Sequence, residues 1–102
     1  MNLLKYSFHP DAEKELKEAI VYYNECQDGL GFEFAEETYL TIQNILSFPH
    51  AWSTLSANTK RCLTNRFPYG VIYQITDKEV FIIAVMHLSR EPSYWKEREK
   101  KA

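Results

Sequence analysis

The run from Val80 to His87, in which only the last residue is polar, constrains the fold of this 102-residue chain more than any other segment. A nearly continuous apolar run of this length predicts a central strand, buried on both faces of a sheet. Two further strand-like runs precede it, Arg61 to Phe67 and Gly70 to Thr76. Because only short turns separate the three runs, at Pro68-Tyr69 and Asp77-Lys78, they predict consecutive antiparallel hairpins.

The first 50 residues predict one strand followed by two helices. Leu4, Tyr6 and Phe8 alternate with polar residues, as in a half-buried strand. A first helix should then span about residues 10–27, because Pro10 suits a first helical turn and apolar residues recur every three or four positions. Its predicted inner face consists of Ala12, Leu16, Ala19, Ile20 and Tyr23.

A cluster that disfavours a helix, Asp28-Gly29-Leu30-Gly31, separates the first helix from the second, and we interpret both glycines as turn residues. The second helix should run from Phe32 to Phe48-Pro49. Its apolar face is predicted to comprise Phe34, Ala35, Thr38, Tyr39, Ile42, Ile45 and Leu46. A link this short favours an antiparallel helical hairpin.

The predicted order is βααβββ, an α+β fold with the helical hairpin packed on one face of a four-stranded, mainly antiparallel sheet. Residues 50–59 lack periodicity, so we expect a loop with Trp52 and Leu55 against the body of the protein. Tyr94-Trp95 should cover an open end of the core, and the charged segment Lys96 to Lys101 should fray. We expect residues 1–102 to form a single domain, because domains commonly contain about 100 to 150 residues.

Composition favours a folded cytoplasmic protein. The chain is 45% hydrophobic, 15% aromatic and 25% charged, which excludes a disordered class. It has neither a secretory signal pattern nor an apolar run of roughly 20 residues, so we expect no membrane association. Cys26 and Cys62 lie far apart outside any CxxC motif, and we expect both to be reduced thiols, with Cys62 buried.

The net charge of -2 conceals an asymmetry between the two halves of the chain. Residues 1–58 contain three lysines against nine acids, a net charge of -6, whereas residues 59–102 contain nine basic residues against five acids, a net charge of +4. The C-terminal half therefore carries the positive field, and a polyanion or an acidic partner segment would be attracted there.

The sequence lacks the usual cofactor and metal signatures. None of GxxxxGK, GxGxxG, HExxH or a paired CxxC occurs, and the three histidines are spread along the chain at positions 9, 50 and 87. We therefore expect neither a cofactor nor a metal ion.

Several ordered motifs carry a resemblance to a known family. They are Phe8-His9-Pro10-Asp11-Ala12-Glu13, Tyr22-Tyr23, Gly29-Leu30-Gly31, Arg66-Phe67-Pro68-Tyr69-Gly70-Val71-Ile72-Tyr73, and the segment from Ala84 to Trp95, AVMHLSREPSYW. Together they span about residues 5–96 and resemble the RelE/ParE toxin superfamily, often labelled plasmid-stabilisation proteins. The resemblance implies a βααβββ fold and a growth-inhibiting toxin, silenced by a cognate antitoxin protein in a toxin–antitoxin system.

The resemblance leaves two mechanisms open. RelE-like members are endoribonucleases that cleave mRNA in the ribosome without a metal ion, whereas ParE-like members bind and poison DNA gyrase. A metal-free ribonuclease needs a general base, a general acid and cations that stabilise phosphorane charge. If the chain is a ribonuclease, the candidate catalytic residues are Arg61, Arg66, His87, Arg90 and Tyr94.

Two positions favour the ParE-like alternative. Gly70 stands where ribonucleases similar to RelE have an arginine, and Leu63 falls near one of their lysine positions. Arg66-Phe67-Pro68-Tyr69 also resembles the ParE side of the superfamily. We therefore expect a toxin that binds a large target such as gyrase, as a homodimer or a toxin–antitoxin hetero-oligomer. The alternatives are a ribosome-dependent ribonuclease and a non-toxic remnant that retains antitoxin binding.

Overall fold

The computed structural model describes residues 5–100, so Leu4 of the predicted first strand lies outside the described residues. The elements in chain order are β1 (Lys5–Phe8), α1 (Pro10–Cys26), α2 (Leu30–Ser47), β2 (Ser53–Ser56), β3 (Thr59–Leu63), β4 (Tyr69–Thr76) and β5 (Glu79–His87), followed by a short 3-10 helix at Lys96–Arg98. This confirms the α+β class. Neither α1 nor α2 is long and apolar enough to cross a membrane.

The sheet contains five strands in the order β1-β5-β4-β3-β2. β1 is parallel to β5, and the other neighbouring pairs are antiparallel. As predicted, the apolar run is an inner strand, and every residue from Val80 to Met86 is buried. The predicted strand count of four was wrong, because β2 lies within the expected loop 50–59. Its polar and largely exposed residues give no alternation, so backbone pairing with β3 defines this strand.

The helical hairpin packs on one face of the sheet, as expected. Its core contains Ala12, Ala19, Phe34, Ile42, Ile45, Val71, Tyr73, Val80, Ile82 and Val85. Gly29 has a φ of 84°, which confirms its role in the turn. Gly31 has a different role, because it lies inside α2, where an added Cβ would come 2.1 Å from the Ile20 carbonyl oxygen of α1. Gly31 therefore allows the two helices to approach closely.

The C-terminal segment covers the opposite face of the sheet. Trp95 is buried there in a second cluster with Ile72, Phe81, Ile83, Ala84 and Met86. Because successive strand residues point to opposite faces, Phe81 and Ile83 contact this segment while Val80 and Ile82 face the helices. This burial of Trp95 confirms its predicted packing role.

Fraying of the charged end was a wrong prediction for the described part of that segment. Gln74 in β4 accepts a hydrogen bond from the Lys100 N–H and donates one to the Lys100 carbonyl, at 2.8 and 3.1 Å. Glu99 accepts hydrogen bonds from the hydroxyls of Ser56 and Thr59. Side-chain partners on three strands therefore hold this end against the sheet, and Lys101 lies outside the described residues.

Tyr39 faces solvent, contrary to its predicted place on the apolar face of α2, and Phe32 and Leu40 on the same helix are also exposed. Tyr39 is 53% exposed and Phe32 is 71% exposed, whereas their neighbours Phe34 and Thr38 are buried. Trp52, in the loop before β2, packs against the core as predicted, but Leu55, within β2, is exposed. The exposed aromatic residues are part of the surface described below.

Candidate functional site

The structure separates the five candidate catalytic residues into three places. His87, the last residue of β5, lies beside α1 together with Arg90 and Tyr94, which follow this strand, and Arg66 lies against α2. Arg61 lies on β3 directly opposite Ile72, whose side chain belongs to the cluster on the far face of the sheet. Directly paired residues share a face, so Arg61 faces away from the helices.

The residues after β5 are organised around Glu15 of α1. Arg98 and Arg90 bind its two carboxylate oxygens, at 3.0 and 3.3 Å. The Val85 N–H also donates to Glu15, at 3.0 Å, and Arg98 donates to the Ile83 carbonyl at 3.0 Å. The pairing of β1 with β5 ends at Ile82. Beyond that point, the Glu15 and Arg98 side chains provide hydrogen-bond partners for backbone groups at the edge of β5.

Tyr94 is poorly suited to act as a general base. Its ring lies 3.7 Å from the Arg90 guanidinium carbon and 5.0 Å from that of Arg98. Burial, followed by the negative charge of Glu15, raises the pKa of Tyr94 well above its ordinary value near 10. The phenol therefore stays protonated at neutral pH, and its role in this geometry is to pack beneath two guanidinium groups.

The His87 side chain is held by contacts with Ser89 and Tyr69. Its Nδ1 accepts a hydrogen bond from the Ser89 N–H at 3.1 Å and lies 2.7 Å from the Ser89 hydroxyl. Its ring packs edge-on against Tyr69, with centroids 5.1 Å apart. These contacts are those of a histidine that closes the turn after a strand.

Arg66 is bound to α2 by two glutamates. Its Nη2 lies 2.7 Å from Glu33, and its Nε lies 3.4 Å from Glu37. Glu37 also accepts hydrogen bonds from the backbone N–H groups of Arg66 and Phe67, at 2.6 and 3.3 Å. The loop before β4 is therefore attached to the helix, and the Arg66 charge is already neutralised.

Arg61 is held by packing instead of by an ion pair. An added Cβ at Gly70 would lie 3.1 Å from both Cγ and Cδ of Arg61, so the stem of the arginine lies over the glycine. Its buried Nε has no hydrogen-bond partner within residues 5–100. Gly70 thus provides space for a cation from the neighbouring strand.

A broad concavity, which we call the α2–β3 groove, has a volume of about 550 Å³. One wall is a stripe of α2, and the other follows the chain from the last residues of β3 to Arg66. Its lining consists of Glu33, Glu36, Glu37, Leu40, Thr41, Asn44, Trp52, Cys62, Leu63, Thr64, Asn65 and Arg66. Of the five candidate catalytic residues, only Arg66 lines this groove.

The helical hairpin also exposes large apolar side chains. They are more than half exposed at Val21, Tyr22, Phe32, Tyr39, Leu40 and Phe48. Exposed apolar side chains of this size are typical of a surface that binds another macromolecule. Within residues 5–100, no group of three His, Cys, Asp or Glu side chains is placed to bind a metal ion.

Comparisons with known proteins agree with this geometry. The family model described as the ParE toxin of the type II toxin–antitoxin system parDE matches residues 6–92. Among solved structures, one described as "Chromosomal ParDE TA system from P. aeruginosa" aligns with a TM-score of 0.74 at 9% identity, over 84% of this chain and 97% of that chain. No curated protein gives a significant match. At this low identity the structural likeness shows the fold alone, but the family model spans most of the sequence. The chain therefore belongs to the ParE toxin family, on the ParE-like side of the RelE/ParE superfamily.

Proposed function

We propose that this protein inhibits growth by binding a large cytoplasmic target such as DNA gyrase, and that a cognate antitoxin neutralises it. The observation that carries the proposal is the separation of the five candidate catalytic residues into three places, combined with the large apolar side chains that the helical hairpin exposes. RNA cleavage by the 2′-hydroxyl needs a base within reach of that hydroxyl and an acid within reach of the leaving oxygen, both at one phosphate. A binding surface needs no such convergence.

The charges of the site support the same proposal. Arg66 and Arg90 are each paired with glutamates, so phosphate would have to displace a carboxylate at both positions. The raised pKa of Tyr94 further opposes its ionisation. Among the described residues, Arg61 forms no ion pair, and it lies on the other face of the sheet.

Expression of the chain with and without the protein encoded by the adjacent open reading frame tests this proposal. We expect expression of the chain alone to arrest growth and co-expression to restore it. Arg61→Ala and His87→Ala should each retain the arrest, because neither side chain has a catalytic role in a binding toxin. Loss of toxicity in both variants, with folded protein at wild-type levels, would contradict a binding mechanism and favour the ribosome-dependent ribonuclease.

A further inference from the structure

The outer face of α1 carries a row of exposed residues in which charges are arranged about a central apolar side chain. Val21, at the centre, is 57% exposed. Lys17 precedes it by four residues and Glu25 follows it by four, so each charge lies on the same face of the helix, roughly 6 Å from Val21 along the axis. Lys14 and Asp28 extend the row, three residues further in each direction, and are also exposed. The spacing of the row is therefore the same in both directions, whereas the charge changes sign.

The charges of this row are not used in pairs within the chain. Among residues 5–100, its four charged side chains form no ion pair with one another or with any other residue. Their order also opposes the helix dipole, which favours acids at the start of a helix and bases at its end. Glu25 instead lies in the last turn of α1, where no basic residue accompanies it. A cation supplied by another molecule would offset this charge.

The middle of the row is an apolar surface. Tyr22, beside Val21, is 59% exposed. An open, largely apolar concavity of about 300 Å³ lies here, lined by Lys17, Glu18, Val21, Tyr22 and Glu25. It shares no lining residue with the α2–β3 groove. An apolar centre with charged residues around it is the usual arrangement of a protein–protein interface.

We infer that the outer face of α1 is a homodimer interface, in which α1 of a second copy packs antiparallel across a two-fold axis at Val21. A two-fold axis requires a self-complementary surface, because the same residues meet twice. The antiparallel arrangement places Lys17 of each copy beside Glu25 of the other, and Lys14 beside Asp28, with Val21 and Tyr22 at the centre. A parallel copy would place like charges together. Self-association of this kind depends neither on the antitoxin nor on gyrase.

Charge reversal tests the pairing, with sedimentation equilibrium of the full chain at low ionic strength as the measurement. Lys17→Glu and Glu25→Lys each create two like-charge pairs in a homodimer, so each variant alone should dimerise at least roughly tenfold more weakly than the wild type. An equimolar mixture of the two should regain wild-type affinity, because each reversed charge again meets its opposite. Lys78→Glu, at an exposed site in the turn between β4 and β5, is the control and should dimerise like the wild type.

Three results would overturn the inference. The first is a wild-type chain that stays monomeric, and the second is a pair of reversed variants that each dimerise like the wild type. The third is a mixture of the two variants that dimerises no better than either alone. A monomeric wild type whose affinity for the protein of the adjacent open reading frame falls in both variants would assign this face of α1 to the antitoxin. Circular dichroism should show both variants folded, because both substituted side chains are exposed.

Discussion

Glu15 forms tertiary contacts that the sequence pattern of its helix does not reveal. A carboxylate near the start of a helix usually favours the helix dipole and lies in water. Here the Glu15 side chain is only 12% exposed and binds Arg90, Arg98 and the Val85 N–H. Its main arginine partner lies 83 residues along the chain, so no local pattern reveals the contact.

We predict that Glu15→Ala lowers the free energy of unfolding by about 2 to 3 kcal/mol, because it leaves a half-buried guanidinium and a strand N–H without partners. Glu18→Ala, an exposed site on the same helix, is the control and should change stability by less than about 0.5 kcal/mol. Urea denaturation followed by circular dichroism measures both. Equal losses would contradict the structural role of Glu15.

We predict that the protein loses stability at alkaline pH because of the half-buried Tyr69 side chain. Burial, with a smaller contribution from nearby Tyr23, raises its pKa to about 12. This folded-state pKa lies above the ordinary value near 10. The contribution of Tyr69 to the free energy of unfolding is therefore complete below about pH 10 and is lost as the pH rises from about 10 through about 12. Tyr69→Phe should therefore lose less stability over this range than the wild type.

The measurement is the urea midpoint as a function of pH. Tyr39→Phe is the control, because this tyrosine is 53% exposed, and its curve should follow that of the wild type. Parallel curves for Tyr69→Phe and the wild type would show that Tyr69 does not contribute to the loss of stability at alkaline pH.

At the scale of elements, hydrophobic periodicity predicted both helices and the order of the main strands because each has a continuous or regularly spaced buried face. β2 was missed because Ser53–Ser56 buries neither face and is held by backbone pairing. The predicted strand Arg61–Phe67 ends early, at Leu63, because the Thr64 hydroxyl donates to the Phe67 and Tyr69 carbonyls in a turn. Interactions formed by the backbone or by local side chains leave no apolar pattern.

The candidate site was predicted less well than the fold. The five candidate residues have side chains suited to a metal-free ribonuclease, and all lie in the positively charged C-terminal half of the sequence. The register of β3 directs Arg61 to the far face of the sheet, and glutamates from the helices bind Arg66 and Arg90. Glu37 and Arg98 were not singled out, since their partners are defined only by tertiary packing.

The helical hairpin provides a test at the element scale. We predict that Gly31→Ala destabilises the protein by at least about 2 kcal/mol, because its Cβ would lie 2.1 Å from the Ile20 oxygen and 2.6 Å from Cγ of Asn24. Gly29→Ala is the control: no atom lies within 4 Å of its added Cβ, and only the positive φ opposes it, at a cost of about 1 kcal/mol. Thermal unfolding should rank the two variants in this order, and the reverse order would contradict the close approach of α1 and α2.

For the molecule as a whole, the two faces of the sheet have different roles. The helix face carries the hairpin with its exposed aromatic residues and the α2–β3 groove. The other face is covered by the C-terminal segment through Trp95, Glu99 and Lys100. We therefore expect partners of this toxin to approach from the helical side.

The most direct test is a supercoiling reaction with purified DNA gyrase, run beside a translation reaction with purified ribosomes and mRNA. A ParE-like binding toxin should block supercoiling or trap cleaved DNA, should leave the mRNA intact, and should lose its effect when the antitoxin is added first. Unimpaired gyrase together with cleaved mRNA would contradict the binding mechanism.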